Sequence, residues 1–176
     1  MADRDRDCCF RSRDPETTGE AGRLLGRLLV ERGLLVALGG PLGAGKSVFV
    51  RGIAEGLGID PAVISSPTFT IVNQYPVRGG RQLSHVDFYR LQSEMEVEDV
   101  GFQDLLEPGD VVAVEWAHRF EGLLPAERLE VRLERGQGED DSSLREIEVR
   151  ALGAEPRAIL ESWRKALEAL PALELE

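Results

Sequence analysis

Lysine is scarce in this 176-residue chain: of 21 basic residues only Lys46 and Lys165 are lysines, and the rest are arginines. Asparagine occurs once, at Asn73, and the two cysteines, Cys8 and Cys9, are adjacent. Each shortage removes a class of protein. Two neighbouring thiols build neither a disulfide framework nor a four-ligand zinc site, so they read as free thiols in a flexible N-terminal tail spanning residues 1–13. A single asparagine, followed by Gln74, leaves no N-K-x-D element, which argues against a guanine-reading GTPase. No uninterrupted apolar run approaches the roughly 20 residues needed to span a bilayer. The opening "MADRDRDCCFRSRDPE" is charged throughout, without the apolar centre of a secretory signal. The expectation is a cytoplasmic protein with no membrane association. Excess positive charge is missing too. With a net charge of −11 and no long basic stripe, direct tight binding to a nucleic-acid backbone is disfavoured unless a partner supplies the positive surface.

What is present is a phosphate-loop pattern. In "LLVALGGPLGAGKSVFVRG", residues 34–52, Gly40, Gly45, Lys46 and Ser47 fit G-x-x-x-x-G-K-S/T, with Gly43 as an extra permissive position. Glycines let the chain curl so that successive backbone N–H groups face inward and form a concave anion site. The whole loop, Gly40, Leu42, Gly43, Ala44, Gly45, Lys46 and Ser47, is therefore the candidate nucleotide cradle. Lys46 would place a compact positive charge near the β and γ phosphates, and the Ser47 hydroxyl is suited to Mg²⁺. The flanks agree, because Leu34 to Leu38 read as a buried strand and Val48 to Leu57 carry apolar residues at helical spacing.

The rest of the pattern predicts one α/β domain over residues 14–170, with a short C-terminal tail, 171–176. Composition that is 42% apolar suffices for one core. Residues 16–32 read as an amphipathic helix stopped at Gly33. "TIVNQYPV" and "RQLSHVDFY" read as a hairpin around Arg78, Gly79 and Gly80. Residues 94–106 look helical up to the breaker "EPGD", and "VVAVEW" reads as a strand buried on both faces. "RLEVRLER" and "LREIEVRAL" alternate apolar and charged residues, as antiparallel strands with one wet face do, on either side of the loop "GQGEDDSS". Residues 156–170 form a closing helix. A mixed central sheet flanked by helices follows.

Three further clusters bear on a nucleotide. The period of two puts His85, Asp87 and Tyr89 on one strand face, so Asp87 is a candidate for orienting a water or supporting a metal, the alternative being a solvated face. Glu115 ends an apolar strand, where an acid is commonly presented to a metal beside a phosphate loop. Burial of an unpaired carboxylate is costly, which favours a metal partner for it. Trp116, next in the chain, reads as packing. "SSPTF", 65–69, reads either as a turn or as a sensor of the γ-phosphate that orders on binding.

"GPLGAGKS", "SSPTFTIVNQY", "HVDFYRL" and "AVEWAHRF", in this order and spacing, resemble the TsaE (YjeE-type) family of small bacterial P-loop ATPases over roughly residues 15–135. The resemblance implies a single P-loop NTPase domain with ATP and Mg²⁺ as ligands. It also implies a part in making N6-threonylcarbamoyladenosine at position 37 of tRNA, as an ATPase that is slow alone and acts with the TsaD–TsaB complex, meeting tRNA only through that complex. Carried over by motif, Lys46 contacts phosphate, Ser47 and Glu115 hold the metal, and Asp87 serves hydrolysis. "DPETT" resembles the family's N-terminal S-x-x-E-T segment, which puts Thr18 near adenine, with Asp14 where serine is usual. Two other classes use the same loop. A P-loop small-molecule kinase would need an acceptor pocket and a basic lid, and no arginine-rich lid segment is evident. A non-hydrolysing ATP-dependent interaction module would share every motif above.

Overall fold

The computed structural model describes residues 7–136 and 143–175. Strand β1 (Cys8–Ser12) is followed by helix α1 (Pro15–Leu28), strand β2 (Leu34–Gly39) and helix α2 (Lys46–Gly56). Strands β3 (Val72–Pro76) and β4 (Gln82–Asp87) form the expected hairpin around Arg78–Gly80. Helix α3 (Glu94–Asp99), β5 (Val111–Glu115), β6 (Arg128–Arg135), β7 (Arg145–Leu152), α4 (Ala154–Leu167) and β8 (Leu173–Leu175) complete the order.

The eight strands of the described residues join one mixed sheet in the order β3-β4-β5-β2-β6-β7-β1-β8. The apolar runs of β2 and β5 lie at its centre, where β4, β5, β2 and β6 are mutually parallel. That position explains their composition, since a parallel strand covered on both faces has no wet side to accommodate polar residues. Helices α1, α2 and α4 cover one face over Leu38, Phe49, Ile53 and Trp163. On the other face Phe88 packs edge-on against Phe102 and Phe120, at centroid distances of 5.1 and 5.5 Å. In β6 and β7 buried and solvated positions alternate, as the charge pattern predicts.

Helices α1 and α2 meet backbone to backbone. A Cβ on Gly22 or Gly26 would sit 2.3 or 2.2 Å from the Phe49 or Ile53 carbonyl oxygen, and one on Gly52 would sit 2.0 Å from the Gly19 oxygen. Only glycine permits this approach, and it brings the N-terminus of α1 beside that of α2. The α1 end is fixed by Asp14, whose carboxylate accepts the Thr17 N–H at 2.7 Å, with Pro15 at the first turn. Aspartate ranks with serine among the strong N-cap residues.

Several boundaries differ from the sequence reading. Residues 8–12 are not a flexible tail: β1 pairs with β7 on one side and β8 on the other, and Cys8, Cys9 and Phe10 are buried. Phe10 contributes to the core by packing edge-on against Trp163. The segment after 170 is likewise not a tail, because Leu173–Leu175 form the edge strand β8. Both cysteines are free thiols, as expected. The first helix stops at Leu28 rather than running to Gly33. The helix expected over 94–106 is broken at Gly101, whose φ of 75° turns the chain into a short 3₁₀ segment, Phe102–Leu105. Most of the acidic loop 136–143 lies outside the described residues.

Candidate active site

The loop between β2 and α2 departs from ordinary backbone at three glycines, Gly40, Gly43 and Gly45, with φ of 123°, 75° and 103°. At Gly40 a Cβ would also lie 2.0 Å from the Leu133 carbonyl oxygen, so both conformation and space require glycine. Gly45 caps α2 without any side-chain hydrogen bond, leaving the first N–H groups of the helix to face an anion.

Lys46 is 4% exposed, although it carries a charge. Its ammonium donates to the Gly40 and Pro41 carbonyls, each at 2.8 Å, and stands 4.3 Å from the centroid of the Trp116 ring. Burial lowers its pKa, with Glu115 and Asp87 acting in the opposite direction. A cation stripped of water and held by neutral carbonyls is primed for a stronger partner such as a phosphate. Trp116 therefore does more than pack: its left-handed backbone (φ 59°) turns the ring beneath Lys46 and against Tyr89, 4.9 Å between centroids.

Ser47 and Glu115 meet. The Ser47 hydroxyl donates to Glu115 Oε1 at 2.8 Å, and His85 Nε2 lies 2.8 Å from the same oxygen. A carboxylate only accepts, so His85 carries its hydrogen on Nε2, and its buried Nδ1 has no partner among the described residues. His85 is 2% exposed and Asp87 is buried, so the solvated-face alternative does not apply to them, whereas Tyr89, beyond the end of β4, is 47% exposed. His85 orients Glu115, a role its place in the strand alternation hinted at but did not assign.

Asp87 lies beside Glu115 in the parallel β4–β5 register. Its Oδ1 accepts the Tyr89 N–H at 2.8 Å. Burial raises its pKa, the Tyr89 hydrogen bond opposes that, and the Glu115 charge raises it further. Thr18 is buried at the head of α1, with its Oγ1 2.8 Å from Ser12 Oγ and its methyl 3.7 Å from where a Cβ on Gly45 would sit. Leu42, at the loop tip, is 74% exposed.

The oxygens of Ser47 and Glu115 fit Mg²⁺, a hard cation that takes one or two protein oxygens and completes its shell with phosphate and water. Among the described residues no group of three or more His, Cys, Asp or Glu forms a metal cluster. The "SSPTF" loop is tied to strand β3. Asn73 Nδ2 donates to the Ser65 carbonyl and Tyr75 meets the same carbonyl, while Phe69 is 80% exposed. Sequence reasoning missed Arg145, whose guanidinium reaches the Gly43 and Ala44 carbonyls from β7.

A family model described as "Threonylcarbamoyl adenosine biosynthesis protein TsaE" matches residues 12–146. The chain belongs to this family. The match covers the motif-bearing region and extends the resemblance outward to β1 and β7. Proteins carrying the name tRNA threonylcarbamoyladenosine biosynthesis protein TsaE are similar over much of the chain. The one from Bacillus subtilis is 40% identical over 144 residues, covering 82% of this chain and 85% of the relative. The one from Streptomyces coelicolor is 42% identical over 136 residues, 76% and 90% of the two chains. A crystal structure of Bacillus subtilis YdiB superposes with a TM-score of 0.73 at 33% identity, covering 90% of this chain and 94% of that one. No helix among the described residues is long and apolar enough to cross a membrane.

Proposed function

We propose that this protein binds ATP with Mg²⁺ at the loop Gly40–Ser47, hydrolyses it slowly, and through it serves N6-threonylcarbamoyladenosine formation on tRNA together with TsaD and TsaB. The observation that carries this reading is the convergence of Lys46, Ser47, Glu115 and Asp87 from one loop and two adjacent strands onto one point. Membership in a family named for threonylcarbamoyladenosine biosynthesis supplies the process.

Each group has a part that follows from its surroundings. Lys46 exchanges the Gly40 and Pro41 carbonyls for phosphate oxygens, which are better acceptors because they are charged. The N–H groups of the loop and the first turn of α2 receive the rest of the phosphate charge. Ser47 and Glu115 would hold Mg²⁺, which neutralises charge on the β and γ phosphates when bound. His85 keeps Glu115 aimed at that point. Asp87 orients the attacking water, and its raised pKa makes it a better proton acceptor than an exposed aspartate. Thr18, next to Gly45, borders the end of the loop where the nucleoside would lie. With a net charge of −11, the protein meets tRNA through its partners rather than directly.

A reconstituted modification assay tests the reading. With TsaD, TsaB and their threonylcarbamoyl donor, the wild-type protein should support repeated rounds of modification. Lys46→Ala should bind ATP about 100-fold more weakly, the loss expected of a buried charged contact, and should stall near one round. Repeated rounds with the Lys46 variant would show that ATP at this loop does not drive the cycle.

A further inference from the structure

Arg145 belongs to none of the motifs above. It is the first residue of β7, opposite Arg135 in the β6–β7 register. Its side chain crosses to the phosphate loop, where Nε donates to the Ala44 carbonyl at 3.1 Å and Nη2 to the Gly43 carbonyl at 3.3 Å. Nη1 donates back to the Leu144 carbonyl at 2.9 Å, which fixes the plane of the guanidinium. Arg135 stands close by, its Nη2 3.1 Å from where a Cβ on Gly43 would be.

Two cations thus hold one loop by its carbonyls: Lys46 takes Gly40 and Pro41, and Arg145 takes Gly43 and Ala44. Their fates on nucleotide binding must differ. Lys46 is needed at the phosphate and has to let go, whereas Arg145 already has the peptide oxygens it requires. A trans peptide points its carbonyl and the next N–H to opposite sides, and no described peptide bond is cis. Arg145 on the Ala44 carbonyl therefore leaves the Gly45 N–H pointing away from the guanidinium. Its bond to the Gly43 carbonyl does the same for the Ala44 N–H, which here donates to the Pro41 carbonyl at 3.2 Å. When Lys46 leaves Pro41 for phosphate, the Ala44–Pro41 bond and the two Arg145 bonds do not depend on it, so they can still hold the two peptide planes.

We propose that Arg145 is a positioning residue for the nucleotide's phosphates, acting through the Gly43 and Ala44 peptides without touching the ligand. The proposal rests on the reading of Gly40–Ser47 as the phosphate site. It predicts a requirement for geometry as well as charge, because a guanidinium offers donors in a rigid fork and an ammonium does not.

The test measures Mg²⁺·ATP and inorganic pyrophosphate binding by calorimetry, together with steady-state hydrolysis, for wild type, Arg145→Ala, Arg145→Lys and Arg145→Gln. Circular dichroism melts identify the folded proteins. Arg145→Ala should weaken both ligands on the order of tenfold, the size of a lost charge-assisted hydrogen bond, and raise KM by the same factor with kcat within about twofold. Arg145→Lys should recover little of this. Arg145→Gln, a neutral donor able to hold one carbonyl, should recover part. A melting temperature that drops while affinity stays at the wild-type value would overturn the proposal, making Arg145 a strut only. Full recovery by lysine would overturn it too, because charge alone would then suffice. If instead wild type binds neither ligand, the phosphate-site reading itself fails. Should Arg145→Ala not fold, the ordering of the lysine and glutamine variants decides.

Discussion

Strands β4, β5 and β2 run parallel and end along one edge in Asp87, Glu115 and Gly39, whereas β7, β1 and β8 run antiparallel and tie the two ends of the chain together. The first region gathers every residue proposed to meet the nucleotide except Thr18. The second supplies Phe10, Ile147 and Val149 to the core and, at the loop, Arg145. Parallel pairing explains the contrast, since it aligns the C-terminal ends of strands that are far apart in sequence and buries them on both faces. Acids at that edge are desolvated. His85 and Glu115 are 2% and 5% exposed as side chains, whereas Arg132 and Glu134, an ion pair on the wet face of β6, are 65% and 46% exposed. The buried pair can govern chemistry, but the surface pair contributes about 0–1 kcal/mol to stability.

If the division holds, substitutions in the parallel half should change chemistry, and those in the antiparallel half should change stability. The largest effect is expected at Asp87. Asp87→Asn should cut hydrolysis by about 10²–10⁴, the usual contribution of a positioned base, with a smaller change in ATP affinity. The same variant should be more stable than wild type at neutral pH when free of metal and nucleotide. Because the folded-state pKa of Asp87 is raised above 3.8, the folded protein binds its proton more tightly than the unfolded chain. Wild-type stability therefore falls as pH rises through that window, and the advantage of Asn should disappear as pH falls toward 3.8. Thermal melts across pH check this, and an Asn variant no more stable than wild type at pH 7 would remove the desolvation argument.

Phe10→Ala should come next, lowering stability by about 3–5 kcal/mol because it empties a fully buried site against Trp163. The folded fraction should bind ATP within about twofold of wild type. Denaturant titration and calorimetry separate the two, and a collapse in affinity would show that the halves are coupled. Asp14→Ala should cost about 1 kcal/mol through loss of the α1 cap. Any change in affinity it causes measures how far the head of α1, with Thr18, shapes the nucleotide end.

Local features were legible in the sequence, and long-range ones were not. The phosphate loop declares itself within eight residues because its glycines and lysine act on one another directly. The strands β6 and β7 declare themselves by alternation. Strand β1 did not, because "CCFRS" is short and lies in a charged segment. Its partners are residues 145–149 and 173–175, which no local pattern reveals. The glycines of α1 and α2 are unremarkable singly and acquire meaning only when Gly22 meets the Phe49 carbonyl. Trp116 read as packing because nothing in "VEWAH" announces a positive φ. Glu115 and Asp87 were legible as acids ending apolar strands, whereas the 2.8 Å link from Ser47 through Glu115 to His85 needed the parallel register to exist.

The central claim, a Mg²⁺-dependent ATP site at the C-terminal edge of the parallel strands, is tested most directly by calorimetric titration of the wild-type protein. ATP and GTP would each be titrated with and without Mg²⁺, and against Glu115→Ala. The account predicts that ATP binds more tightly than GTP, that Mg²⁺ strengthens ATP binding, and that this gain is lost in the Glu115 variant. Tighter binding of GTP, or ATP binding indifferent to both Mg²⁺ and Glu115, would contradict it.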